Sequence, residues 1–323
     1  MTLDPTADQL AAPLAESLAE SLVDPTARAE IAVIGGSGLY ELIDPAGAVT
    51  HQVQTPYGST AVTIGLRAGR RVAFLPRHGS GHSVAPHLIN YRANIWALAS
   101  IGVRAIISSS AVGGVTPEYA PGLLVVTDQF IDRTSGRPDT FYDRESVQHL
   151  SAADPFDPLL RRYAVSALED LGENFAPTGT VVVIQGPRFS TRAESVWFRS
   201  IGAHIVNMTA YPEIVLAGEL NMGTVNLSFV TDADAGLAPV LEADAAETGH
   251  ARAAGSDVST ETDAVTASVV FRRLRDAQPR ILAAIDGILR ALPTDFAPRE
   301  LIDPTQVDAV LARSVLSDPQ ELT

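Results

Sequence analysis

The chain has 323 residues, 46% of them hydrophobic, enough to bury the core of one large α/β domain. It carries 38 acidic against 23 basic side chains, a formal net charge of −15, and every basic one is arginine. That balance argues against a whole-molecule attraction to nucleic acid or an anionic membrane, and the lack of lysine excludes Schiff-base chemistry and a Walker-type lysine. With no cysteine, disulfides, thiolate metal sites and cysteine nucleophiles are excluded as well.

Residues 1–29, rich in Ala, Leu, Glu and Asp, predict an N-terminal extension, either an appended helix or a loose arm. The first basic residue is Arg28 and no apolar run approaches the ~20 residues of a bilayer span, so neither signal peptide nor membrane helix is expected and the chain reads as cytoplasmic. β-Branched runs then predict strands at 31–34, 72–75, 104–107, 123–126, 180–184, 204–206 and 224–230. Helical periodicity falls at 90–101, 159–171, 192–201, 212–222 and 264–292. This alternation implies one α/β domain over 30–296 with a mostly parallel sheet covered on both faces, and ligands at the carboxyl ends of its strands. Residues 236–262 break the rhythm and predict a long loop, and the tail 297–323 predicts one more helix at about 304–316.

The predicted strand ends carry the chemistry. The first runs into Gly35-Gly36-Ser37-Gly38, a turn whose bare backbone suits an anion or simply a tight bend; it lacks the third glycine of a dinucleotide fingerprint. The second delivers Pro76-Arg77-His78-Gly79, with a guanidinium fork suited to phosphate oxygens. The third opens into Ser108-Ser109-Ser110-Ala111-Val112-Gly113-Gly114. Three consecutive strand ends rich in anion donors, in an acidic protein, point to one phosphate pocket.

Gly186-Pro187-Arg188-Phe189-Ser190 follows the strand at 180–184 and offers an aromatic face for a base. Thr231-Asp232-Ala233-Asp234 ends the strand at 224–230 with two carboxylates. These suit recognition of amino groups and proton donation better than a metal, because no histidine lies near them in the sequence.

Together GGSG, RHG, the hydroxyl run before Ala111, DQFIDRT at 128–134, GPRFSTRAES at 186–195, NMTAYPE at 207–213 and TDAD at 231–234 closely resemble the methylthioadenosine phosphorylases, in family order over about residues 31–292. The resemblance implies a purine nucleoside phosphorylase-like fold: a single α/β domain with a central mixed, largely parallel β-sheet flanked by helices. It implies a homotrimer that splits 5′-methylthioadenosine, and adenosine as a further substrate, into adenine and the ribose 1-phosphate in purine and methionine salvage. Inorganic phosphate is then the co-substrate, with no cofactor and no metal.

By the same resemblance Ser37, Arg77, His78, Ser110, Ala111 and Thr209 bind phosphate, Met208 lies against the ribose, and Phe189 and Ser190 face the purine. Asp232 and Asp234 hold its N7 and 6-amino edge, with Asp232, Arg77 and His78 catalytic. His149 comes from a neighbouring subunit near the nucleoside 5′ end, and Ser190, Ala267 and Val270 set specificity. The chain departs from the family pattern at Ser37 and Ser110, where threonine is common, at Gln185, where glutamate often stands, at Ala267, smaller than the expected valine, and in a longer segment between Asp234 and the next helix. The alternatives are a 6-oxopurine nucleoside phosphorylase, which an asparagine at 232 would favour, a nucleoside hydrolase, and a non-catalytic nucleoside sensor.

Overall fold

The computed structural model describes residues 27–36, 39, 42–43, 47–235 and 267–315, so most of the extension 1–29, the loop 236–262 and the end of the tail lie outside the described residues. The strands are β1 (Ile31–Gly35), β2 (Val49–Thr55), β3 (Gly58–Arg67), β4 (Arg70–Pro76), β5 (Ala105–Gly114), β6 (Leu124–Thr127), β7 (Gln129–Arg133), β8 (Phe175–Ala176), β9 (Thr180–Ile184), β10 (Ile205–Asn207) and β11 (Gly223–Ala233). The helices are α1 (Tyr91–Ser100), α2 (Pro158–Asp170), α3 (Arg192–Ser200), α4 (Ala210–Glu219), α5 (Ala267–Ala291) and α6 (Pro304–Leu311). None is long and apolar enough to cross a membrane.

The strands form one mixed sheet in the order β2-β3-β4-β1-β5-β10-β9-β7, with β11 beside β5 and β6, and β8 on β6. β1 lies parallel to β4 and β5, and β11 parallel to β5, while β10 meets β5 antiparallel. Alternate side chains of the central strands enter opposite cores, as the two-residue period of a strand requires. Ala32, Ile34, Leu75 and Ile106 pack with Ile95, Leu98 and Leu216 from α1 and α4. Val33, Phe74 and Ile107 pack with Leu160 and Leu168 from α2 and Ile281 and Ile285 from α5. Burial on both faces explains the unbroken apolar runs of these strands.

β5 is where the sheet forks. β1 pairs with it only as far as Ser108, and β10 takes over the same edge at Gly113, while β11 follows the other edge from Ala105 to Gly114. Ser109 to Val112 therefore face a gap between diverging strands, the kind of switch point at which α/β sheets bind ligands. Glycine is needed at the fork: a Cβ on Gly114 would stand 2.0 Å from the Tyr119 carbonyl oxygen.

Several expectations are corrected. The strand expected at 104–107 continues to Gly114, so Ser108 and Ser110 lie inside the sheet rather than in a loop beyond it. They are tolerated there because Asn226 of β11 donates to both hydroxyls, at 2.8 and 3.0 Å. The β2–β3 hairpin, β7 and β8 were not anticipated; β2 alternates exposed and half-buried positions and carries little apolar signal. The last helix stops at Leu311, short of the expected 316, and docks on α1 where Trp96 Nε1 donates to the Val310 carbonyl at 3.1 Å.

Candidate active site

The carboxyl ends of β1, β4, β9, β10 and β11 and the gap along β5 enclose one cavity of ≈ 230 Å³. It brings together Arg77, His78, Ser110, Ala111, Phe189, Ser190, Met208, Thr209, Asp232, Asp234 and Val270 from the expected set. Ser37 and the Ala267 side chain lie outside the described residues. His149 is exposed and does not line this cavity.

At one end Arg77 is buried and bound bidentately by Glu213 of α4, at 2.6 and 2.8 Å, and its Nη1 donates to the Ser109 carbonyl at 3.0 Å. Burial alone lowers the Arg77 pKa, but the charge and hydrogen bonds of Glu213 outweigh it and the net shift is upward. The guanidinium is thus permanently charged and rigidly oriented, with donors to spare beyond these three bonds. Gly36 of the first strand end lies close against this pair, since a Cβ there would stand 3.0 Å from the Ser109 oxygen and 3.2 Å from Arg77 Nη1, tighter than an ordinary contact.

His78 pairs through Nδ1 with the Val84 carbonyl at 2.9 Å, so that nitrogen carries the proton and Nε2 is left as acceptor. Burial first, with smaller contributions from Arg77 and His82, pushes its pKa down to about 4 despite the opposing Val84 bond, and the ring is neutral at physiological pH. The His82 ring lies against it, tilted by 34° at 4.0 Å, and meets Phe271 edge-on at 5.3 Å, forming an aromatic rim. Ser110 accepts from Asn226, whose Oδ1 is also occupied by Ser228 and Thr127 at 2.6 and 3.2 Å. The arrangement leaves the Ser110 hydroxyl proton as a donor, with a longer 3.3 Å alternative back to Asn226.

At the other end Asp232 and Asp234 are buried, at 8% and 5% exposure. Burial raises the pKa of both; the neighbouring Asp234 charge raises Asp232 further, and the 2.6 Å bond from Thr231 opposes this. The Ser195 and Ser190 hydroxyls lie near enough to Asp234 to favour its charged form, yet Asp234 Oδ2, Ser190 Oγ and Ser195 Oγ are all buried without a well-formed hydrogen bond. Orphaned polar atoms at a cavity edge call for a ligand that completes them. Phe189 lines the same cavity with 41% of its surface exposed, an aromatic ring available to stack. It is carried on a loop ended by a capping box between Thr191 and Glu194.

Glu213, Asn226, His82 and Phe271 escaped the sequence reading. The first two had a signal: a carboxylate within the apolar helix sequence AYPEIVLAGE and an asparagine within the strand sequence GTVNLSFV are polar groups committed to burial, and such groups are paired.

Comparison with known proteins identifies the family. The phosphorylase superfamily matches residues 30–266. A purine nucleoside phosphorylase of Streptomyces coelicolor is 51% identical over 221 residues, 65% of this chain and 78% of that protein. An S-methyl-5′-thioadenosine phosphorylase of Hyperthermus butylicus is 49% identical over 213 residues, again 65% and 78%. A mutant adenosine/methylthioadenosine phosphorylase of Schistosoma mansoni, solved in complex with methylthioadenosine, superposes with a TM-score of 0.69 at 27% identity, covering 88% of this chain and 96% of that one.

Proposed function

The chain belongs to the phosphorylase superfamily, and on that premise we propose that it is a nucleoside phosphorylase that splits 5′-methylthioadenosine, and adenosine, with inorganic phosphate. The observation that carries this reading is the pairing, in one cavity, of a rigid arginine–histidine end with two buried carboxylates whose pKa values are raised.

Cleavage of the glycosidic bond builds positive charge on the ribose and negative charge on the departing purine, so the site must serve both ends. Phosphate is held by Arg77, the Ser110 hydroxyl, the Ala111 and Thr209 region and Ser37. Neutral His78 accepts through Nε2 from a protonated phosphate oxygen and adds no charge of its own. The bound anion balances the oxocarbenium-like sugar against Met208 and then attacks C1′. Asp232, whose carboxyl pKa burial raises and so makes a better proton holder, donates to purine N7 as the bond breaks, and Asp234 accepts from the 6-amino group. Its orphaned Oδ2 and the Ser190 hydroxyl supply the matching partners, while Phe189 stacks on the base.

Val270, which lines the cavity, meets the 5′ end in this reading, and a homotrimer in the cytoplasm lets the exposed His149 reach the nucleoside of a neighbouring subunit. The test is base release from 5′-methylthioadenosine, adenosine and inosine, each with and without phosphate. Phosphate-dependent adenine release, fastest with the methylthio compound, is expected. Release without phosphate would reveal a hydrolase, and release from inosine alone would reveal a 6-oxopurine enzyme.

A further inference from the structure

Between β7 and the Asp139 side chain the backbone turns through Gly136, φ 65°, and sends the next side chain inward. Arg137 is only 7% exposed, yet none of the described ion pairs includes it. Burying a guanidinium without a carboxylate is costly and is sustained only where its donors are filled. Here main-chain oxygens fill them. Nη2 donates to the Gln185 and Met208 carbonyls, both at 3.0 Å, and Nη1 to the Tyr211 carbonyl. Nε donates to the Gln185 side-chain oxygen at 3.2 Å.

These acceptors belong to two segments that do not pair with each other there: 185–190, leaving β9, and 208–211, leaving β10. The first carries Phe189 and Ser190, the second Met208 and Thr209. We infer that Arg137 is a positioning residue that clasps the base-stacking segment to the sugar-facing segment and thereby sets the spacing between purine face and ribose face.

Gln185 completes the clasp from the other side, since its Nε2 donates to the Ser135 carbonyl and its Oε1 accepts from the Ser135 amide, each at 3.1 Å. A neutral amide gives and receives at once, which a carboxylate at this position could not. The two segments are in direct contact, because a Cβ on Gly186 would lie 2.6 Å from Met208 Sδ. Any slackening of Arg137 is therefore transmitted to Met208. Lysine cannot replace the fork, since it presents its donors from a single point on a flexible stem.

The inference rests on the proposed reading that nucleoside and phosphate share this cavity. The test is steady-state kinetics of the full-length enzyme and its Arg137→Lys variant, varying nucleoside at saturating phosphate and phosphate at saturating nucleoside, with rates normalised to folded protein. Misplacement of the two segments by about 1 Å is expected to lower kcat/KM for the nucleoside by roughly 10²-fold, while the KM for phosphate moves far less, because Arg77, His78 and Ser110 lie outside both segments and only Thr209 is shared with them. Equal losses on both substrates, or an unchanged kcat/KM for the nucleoside, would overturn the inference. If Arg137→Lys does not fold, Gln185→Leu decides: it removes the side-chain acceptor of Arg137 Nε and both bonds to Ser135 but leaves the carbonyl acceptors in place, and a lowered kcat/KM for the nucleoside supports the clasp while an unaltered one refutes it. A wild-type enzyme that releases no base refutes the proposed function and this inference with it; an active wild type with an indifferent Arg137→Lys refutes the clasp alone.

Discussion

Replacing Glu213 by glutamine removes the carboxylate that binds Arg77 at 2.6 and 2.8 Å and leaves a buried cation uncompensated. Breaking a buried pair costs about 3–5 kcal/mol, which at roughly 2–4 °C per kcal/mol lowers Tm by roughly 6–20 °C. Phosphate should return part of that loss, because the anion becomes the only counter-charge for Arg77, still anchored through the Ser109 carbonyl at 3.0 Å. Each tenfold gain in phosphate affinity adds about 1.4 kcal/mol of ligand-linked stability, or roughly 3–6 °C. Thermal unfolding of wild type and Glu213→Gln across a phosphate series, with chloride at matched ionic strength as control, measures both effects. The expected result is a lower Tm in chloride and a larger phosphate-induced rise in the variant. An unchanged Tm, or a phosphate increment no greater than that of wild type, would refute the view that Arg77 is held charged for an anion.

Three further outcomes are expected. Asp232→Asn should reduce adenine release by roughly 10²–10⁴-fold, the usual worth of a positioned acid, and raise the inosine-to-adenosine rate ratio, since an amide is a permanent N–H donor to a 6-oxopurine whereas a carboxyl loses its donor on ionisation. Because the folded pKa of Asp232 is raised, its carboxyl costs stability once pH climbs through that value, so the Tm of Asp232→Asn relative to wild type should grow between acid and neutral pH. His78 has the opposite sign: its pKa falls from 6.5 to about 4 on folding, so its contribution is intact above pH 6.5 and lost as pH drops toward 4. His78→Gln should flatten the decline of Tm across that window. Gly186→Ala, at φ 66° and with a Cβ 2.6 Å from Met208 Sδ, should cost on the order of 1–3 kcal/mol and raise the nucleoside KM while sparing that for phosphate.

Much of the site was legible because each segment carrying it ends a buried strand. An apolar β-branched run stopping at Arg77-His78 or Asp232-Ala233-Asp234 shows both the strand and the chemistry it delivers. The central strands and the long helix at 267–291 were readable for the same reason, each being covered by apolar neighbours on a regular period. The β2–β3 hairpin was not, because an edge with polar outward positions has no continuous apolar signature. Ser108 and Ser110 misled in the same way: their place inside β5 depends on Asn226, more than a hundred residues further along the chain.

The sequence alone determined the α/β class, the family resemblance and the identities of the charged groups that meet at the strand ends. It could do so because periodicity and local motif are properties of neighbours in the chain. Only the tertiary structure decided the state of those groups: Arg77 locked by Glu213, His78 neutral, Asp232 and Asp234 shifted upward, and Arg137 spent on carbonyls of two separate segments. Protonation and orientation depend on burial and on partners brought from distant positions by the fork at β5, and no spacing along the chain encodes them.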